Sequence, residues 1–344
     1  MTSSTQDPDH ETLELYDSIP EESSTRPSTR FNEVRLLCIL SFFAIVGVLA
    51  RKGITVLTTY DGSFLGGVIW ANFAACVVMG LATQSSEFWK DEPVPKAKIQ
   101  LYTGITTGFC GTFSSFSSLI LEAFIKSADI QIGHYYHYRN GAYGIMECAS
   151  VMISHICISI AGLHFGKHLM KFHDRKTPLN IGILENVVAV AGIASWIAVI
   201  VLIVIKSWRS WTFACIVSPI ACWTRFYVSK WLNPKVSGFP MGTFTVNVAA
   251  SVILAILNLL NRGKTSHDGR LVNSILSCHM IQGLEDGFCG TLSTVSTFVA
   301  ELYTLKSPRS YRYGFVSLAV SYILMLLILG SYNWTIGLTD PLCS

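Results

Sequence analysis

The chain has 344 residues, of which 51% are hydrophobic and only 14% charged, with a mean hydropathy of +0.45. Soluble domains carry about a quarter charged residues, so this composition excludes an ordinary water-soluble fold. A formal net charge of +3 gives no reason to expect a nucleic-acid partner.

In chain order, residues 1–33 are rich in Ser, Thr, Pro, Asp and Glu and lack the apolar core of a signal peptide. They predict a disordered tail. Apolar segments follow at 34–59, 64–84, 99–125, 141–166, 183–205, 211–231, 241–261, 271–302 and 311–336. Stretches of about 20 such residues span a hydrocarbon core of about 30 Å, so the expected fold is an all-α polytopic membrane protein with nine helices. Residues 337–344 form a short C-terminal tail. Of ten cysteines, Cys38, Cys76, Cys148, Cys157, Cys215 and Cys222 fall inside apolar segments and read as small packing groups. There is no CxxC pair and no zinc-like His/Cys spacing.

The chain repeats itself. "GFCGTFSSFSS" at 108–118 and "GFCGTLSTVST" at 287–297 agree at seven of eleven positions, at an offset of 179. Arg51 matches Arg225 at 174, Asn72 matches Asn247 at 175, and Tyr143-Gly144 matches Tyr313-Gly314 at 170. Four landmarks in one order predict a duplicated four-helix unit, at 34–166 and 211–336. The segment at 183–205 has no counterpart. As a single joint helix it turns the second unit over, giving two inverted repeats in a 4+1+4 layout. Lysine and arginine number fifteen on the N-terminal side of the membrane and nine on the other. The positive-inside bias then predicts a cytoplasmic N-terminus and an external C-terminus, which leaves Asn333-Trp334-Thr335 as an external sequon.

Each repeated phrase sets two glycines three apart (Gly108 and Gly111; Gly287 and Gly290) before a run of hydroxyls. Glycine weakens a helix by about 1 kcal/mol relative to alanine, and Ser/Thr compete for its backbone bonds. Two readings stay open: close packing of small residues, or a third helix broken in each repeat, offering four carbonyls to one cation.

The pattern G-F-C-G-x-x-[ST]-[ST]-[FV]-S-[ST]-[FL], with an upstream G-T-x-x-x-N and an Arg-aromatic pair, resembles the fluoride channel family called CrcB or Fluc in bacteria and FEX in eukaryotes. The likeness covers about 34–336. It implies a passive fluoride channel in the plasma membrane, working as a pseudo-dimer within one chain. It also implies a structural sodium ion on the carbonyls of Gly111, Ser114, Gly290 and Ser293. Family pores are lined by two phenylalanines, one from each unit. By position Phe116 pairs with Phe298, whereas Val295 pairs with Leu119, which implies one working pore and one vestigial one.

Ring edges carry partial positive charge and meet an anion without gripping it. Asn72 and Asn247 are candidate amide donors to fluoride, with Thr243 one turn before Asn247; a membrane Asn is otherwise interhelical glue. Tyr313, Ser317 and Ser321 are spaced by four and share a helix face, the polar track in this family. Glu147 and Val151 replace the two serines in the first repeat, a poor anion path. Arg51 and Arg225 read either as interfacial cations, snorkelling to water or capping a helix C-terminus, or as an anion-attracting vestibule or a tie between the units. Glu122 and Glu301 read as helix-end residues, and His164, His168 and His173 as residues of a basic loop. Outside the channel reading stand a proton-coupled anion transporter using Glu147 and a non-conducting scaffold. No ATP-binding phrase or nucleophile–base pair suggests an enzyme.

Overall fold

A computed structural model describes residues 30–60, 63–89, 95–131, 137–173, 180–264 and 269–343. The expected tail lies outside these up to residue 29, as do the loop cations Arg26, Lys90, Arg175 and Lys176. Among the described residues, the nine apolar segments form nine helices: α1 (Arg30–Thr58), α2 (Val68–Gln84), α3 (Gln100–Ser127), α4 (Gly141–His173), α5 (Ile181–Leu202), α6 (Arg209–Leu232), α7 (Met241–Arg262), α8 (275–304) and α9 (Ser307–Thr335). Six of them (α1, α3, α4, α5, α7 and α9) are long and apolar enough to cross a membrane on those grounds alone. The chain is thus a multi-pass membrane protein. α4 runs a further turn or two beyond its apolar segment, so His164, His168 and His173 stand on a helix rather than in a loop.

The joint helix α5 packs along α1. A Cβ on Gly192 would lie 2.1 Å from the Cys38 carbonyl oxygen, so only glycine permits this approach. The contact is fastened at one end by an ion pair, Arg35 to Glu185 at 3.0 Å, and Glu185 also accepts the Leu101 N–H at the start of α3.

Within the units, α2 packs on α4 and α7 packs on α9, but the two pairs differ in kind. α2 and α4 meet backbone to backbone: a Cβ on Gly80 would lie 2.2 Å from the Leu163 carbonyl oxygen, and one on Gly166 would lie 2.1 Å from that of Val77. Gly162 is equally hemmed in by Phe73. At the repeat offsets the second unit has Ala255 in place of Gly80, and Tyr332 and Ile336 in place of Gly162 and Gly166. The second unit thus has larger residues at the positions where glycines zip α2 to α4.

One covalent feature went unforeseen. Cys278, near the start of α8, forms a disulfide with Cys343, and Gln282 donates to the Cys343 carbonyl at 2.7 Å. Thr339 N–H donates to the Arg262 carbonyl at 2.8 Å, so the C-terminal segment is strapped across the ends of α7 and α8. The six cysteines expected to be packing groups are free thiols; Cys76, Cys215 and Cys222 are buried, Cys38 and Cys148 are partly buried, and Cys157 is exposed, so it does not pack inside.

The zip predicts a sharp contrast in thermal melting of the detergent-purified protein. Gly166→Val should cost at least about 1–3 kcal/mol by overpacking and lower the melting temperature. Gly53→Ala, where an added Cβ meets nothing within 4 Å, should leave it unchanged or raise it.

Candidate functional site

The repeated phrases build two helix breaks that meet. In α3 a π-helical stretch, Gly104–Cys110, leads into one short turn, Gly111–Phe113. Ser114 then leaves the helix at φ −86°, ψ 154°, and a second half resumes at Phe116. α8 repeats this course through Leu284–Cys289 and Gly290–Leu292, and Ser293 leaves at φ −86°, ψ 157°. π-turns of this kind recur at functional sites. Of the two open readings, the sequence therefore takes the broken helix.

A break in a membrane must satisfy its freed backbone groups from within the protein, and here each unit supplies the other. The Ser114 hydroxyl accepts the N–H groups of Val295 and Ser296 at 3.2 and 3.1 Å, while the Ser293 hydroxyl accepts that of Ser117 at 3.1 Å. Each hydroxyl thereby caps the resumed half-helix of the opposite unit. Within each unit an asparagine clamps the break: Asn72 Oδ1 accepts the Ser115 N–H at 2.8 Å, and Asn247 Oδ1 accepts the Thr294 N–H at 2.8 Å. Asn247 Nδ2 also donates to the Thr294 carbonyl at 3.2 Å. Holding the break is the work these two expected fluoride donors do in this structure.

The carbonyls left at the ends of the first half-helices meet two arginines. Arg51 of α1 donates to Thr112 and Asp286 carbonyls and, at 2.6 Å, to that of Gly290. Arg225 of α6 donates to the Thr291 carbonyl, to Gly111 at 2.7 Å and to Thr107 at 2.5 Å. Each guanidinium therefore bridges both breaks, and both are almost fully buried, at 3% and 2% exposure. Snorkelling fails, whereas capping of helix C-termini and the tie between the units both hold. The second glycine of each phrase makes room for the tie, since a Cβ on Gly111 would sit 2.6 Å from an Arg225 nitrogen and one on Gly290 would sit 2.5 Å from an Arg51 nitrogen.

These contacts bear on the expected sodium ion. Of its four carbonyls, Gly111 and Gly290 are engaged by guanidinium nitrogens, and Ser293 lies 3.4 Å from Arg225. A cation already stands against three of the four oxygens, so the residues present do not fit a further one.

Beside the crossing, the second half of α3 packs against α7 and α9. Phe116 and Phe298 meet edge to face, ring centroids 5.2 Å apart, and Tyr313 lies 5.1 Å beyond Phe298. Tyr313, Ser317 and Ser321 are fully buried, and the hydroxyls of both serines lack a hydrogen-bond partner among the described residues. At the Tyr313 end, Glu301 takes hydrogen bonds from Thr243 at 2.6 Å, from Tyr313 at 2.7 Å and from Asn233 at 3.4 Å. Glu301 stands in the last turn of α8, as expected of a helix-end residue, and is also a buried hub of the site. Its signal was Thr243 and Tyr313 themselves, two polar side chains needing a partner in an apolar setting.

The corresponding residues of the first unit, and Val295 of the second, are placed differently. Leu119, Val295 and Val151 are wholly buried, the first two in the same apolar cluster as Phe116 and Phe298. Tyr143 is half exposed and stacks on Tyr138 instead of entering the interior. Glu147 is partly exposed on α4. In their place stands His155, fully buried, with Nδ1 3.2 Å from Asn72 Nδ2 and Nε2 3.3 Å from Glu122. Glu122 also accepts the Gly66 N–H at 2.5 Å. A neutral ring protonated on Nε2 satisfies this chain of contacts. Sequence reading passed over His155; a lone imidazole in the apolar run of α4 was the available signal.

Helices broken at membrane depth, beside a buried line of rings and unpartnered hydroxyls, define a membrane transport protein as a class. The family described as "CrcB-like protein, Camphor Resistance (CrcB)" matches the chain twice, over residues 38–163 and 212–331, and the chain belongs to it. Fluoride export protein 1 of Candida albicans is 51% identical over 312 residues, covering 86% of this chain and 79% of that protein. Fluoride export protein 1 of Saccharomyces cerevisiae is 34% identical, covering 90% of this chain and 96% of its own. A bacterial relative, the fluoride-specific ion channel FluC of Acinetobacter baumannii, is 31% identical over 126 residues, 35% of this chain but 90% of its own. No solved structure matches.

The crossing predicts that Gly111→Ala and Gly290→Ala displace a guanidinium. Each should destabilise the protein by about 1–3 kcal/mol, read as a lower midpoint in thermal or denaturant unfolding.

Proposed function

We propose that the protein is a passive fluoride channel of the plasma membrane, built from two inverted four-helix units of which only one path conducts. Three findings support fluoride as the ion: the family, the fluoride export and fluoride channel relatives, and the chemistry of the site. Small and strongly hydrated, fluoride needs hydrogen-bond donors to replace its water, yet must leave again. Buried serine hydroxyls and ring edges meet both demands without a fixed positive charge in the path.

The observation that carries the single-path reading is the contact of Phe116 with Phe298 and of Phe298 with Tyr313. It brings the surviving phenylalanine pair to the same helix, α9, that bears the surviving serine track. The glycine zip between α2 and α4 and the buried His155 support closure of the other half. The two occurrences of the family match, each a four-helix stretch separated by α5, support the duplication. Four spans, an even number, lie between equivalent helices such as α1 and α6, which supports their inversion. The N-terminus is then cytoplasmic and the C-terminus external, and a disulfide on the C-terminal side suits an oxidising exterior. One chain suffices for function.

Fluoride efflux from proteoliposomes, followed with a fluoride electrode, tests this reading. Phe116→Ile and Phe298→Ile should each reduce efflux at least about 100-fold, comparable to losing a key charge-stabilising donor in a catalytic site. Leu119→Ala and Val295→Ala should retain most of it. Comparable losses from both pairs would overturn the single path.

A further inference from the structure

The centre of the protein holds two cations that belong to the chain. The first half of α3 ends at Phe113 and that of α8 at Leu292, so the carbonyls of Gly111, Thr112, Gly290 and Thr291 are the unpaired acceptors of two helix C-termini. A helix C-terminus carries about half a negative charge, and the two together amount to about one. Against them stand the guanidinium groups of Arg51 and Arg225, each hydrogen-bonded to carbonyls from both units. Lys52 is paired separately, with Asp286.

We propose that Arg51 and Arg225 serve as the structural cations of this crossing in place of a bound metal ion, and that the fold is independent of sodium. Two observations carry this. Oxygens that a metal would need are engaged by guanidinium nitrogens, at 2.6 Å for Gly290 and 2.7 Å for Gly111, and both glycines lack the Cβ that would block them. A sodium ion would also bring a third positive charge to two helix ends already faced by two. A guanidinium has an advantage that a spherical ion lacks. Its planar fork donates in several fixed directions, so one side chain joins Thr112 to Gly290 and the other joins Gly111 to Thr291. The inference concerns how the halves are held and does not depend on which ion is conducted.

The test is thermal melting of the purified wild-type protein at constant ionic strength, with sodium exchanged for N-methylglucamine. The expected result is one melting temperature in both. An ion bound only by the folded chain, at about 100 times its dissociation constant, would raise the midpoint by about 5–10 °C. A saturable rise of that size with sodium, absent with potassium, would overturn the proposal. A second arm uses Arg225→Ala, which should melt lower and be partly restored by millimolar guanidinium ion filling the vacated space. Restoration by sodium to the same extent as by guanidinium would count against it. Should that variant fail to fold, the wild-type titration decides alone, and it needs no transport measurement.

Discussion

The structure depends on one constraint: a helix broken inside a membrane cannot leave its backbone groups to water. Both breaks here solve this by exchange. Ser114 caps the half-helix that starts beside Val295, Ser293 caps the one that starts beside Phe116, and each arginine joins carbonyls of both units. Neither break is complete alone, so the two units are obliged to stay together. This gives a physical reason for the repeated phrase. Its first glycine admits the neighbouring helix, its second admits a guanidinium, and its serine reaches across.

A shared crossing does not require shared flanks. α7 and α9 leave room for Phe298, Tyr313 and two unpartnered serine hydroxyls. α2 and α4 close on one another through Gly80, Gly162 and Gly166, and the space near Asn72 is taken by His155. The residues of the first unit have a structural role of their own. Asn72 still has to hold the Ser115 N–H, and His155 and Glu122 extend that hold into α4 and to the start of α2. Removing these contacts would therefore release the break on which Phe116 stands.

Local pattern made much of this legible. Hydropathy located all nine helices, to within a few residues at every end but that of α4, which runs on to His173, because a bilayer writes its thickness directly into the chain. The glycine and hydroxyl phrase located both breaks, because the residues that weaken a helix are the ones that mark it. What stayed hidden was contact between distant segments. Arg51 sits 239 residues from the Gly290 carbonyl it bonds, and nothing in its own helix announces that partner. Cys278 and Cys343 are 65 residues apart, and their pairing follows from the path of the C-terminal strap. Two signals were present and unread. Gly162 and Gly166 stand four apart in "GLHFG", the spacing of close-packed membrane helices. Glu301 lies beside Thr243 and Tyr313 only after α7, α8 and α9 assemble, although each of the three is a polar group that the membrane makes costly to leave alone.

A passive channel and a coupled transporter built on this crossing differ in what drives the ion. The most direct measurement is fluoride efflux from proteoliposomes whose voltage is clamped with potassium and valinomycin, at equal pH inside and out. The present account predicts rapid, electrogenic efflux that follows the fluoride gradient and voltage with no pH gradient present. Efflux that ceases without a proton gradient, or none at all from folded protein, would contradict it.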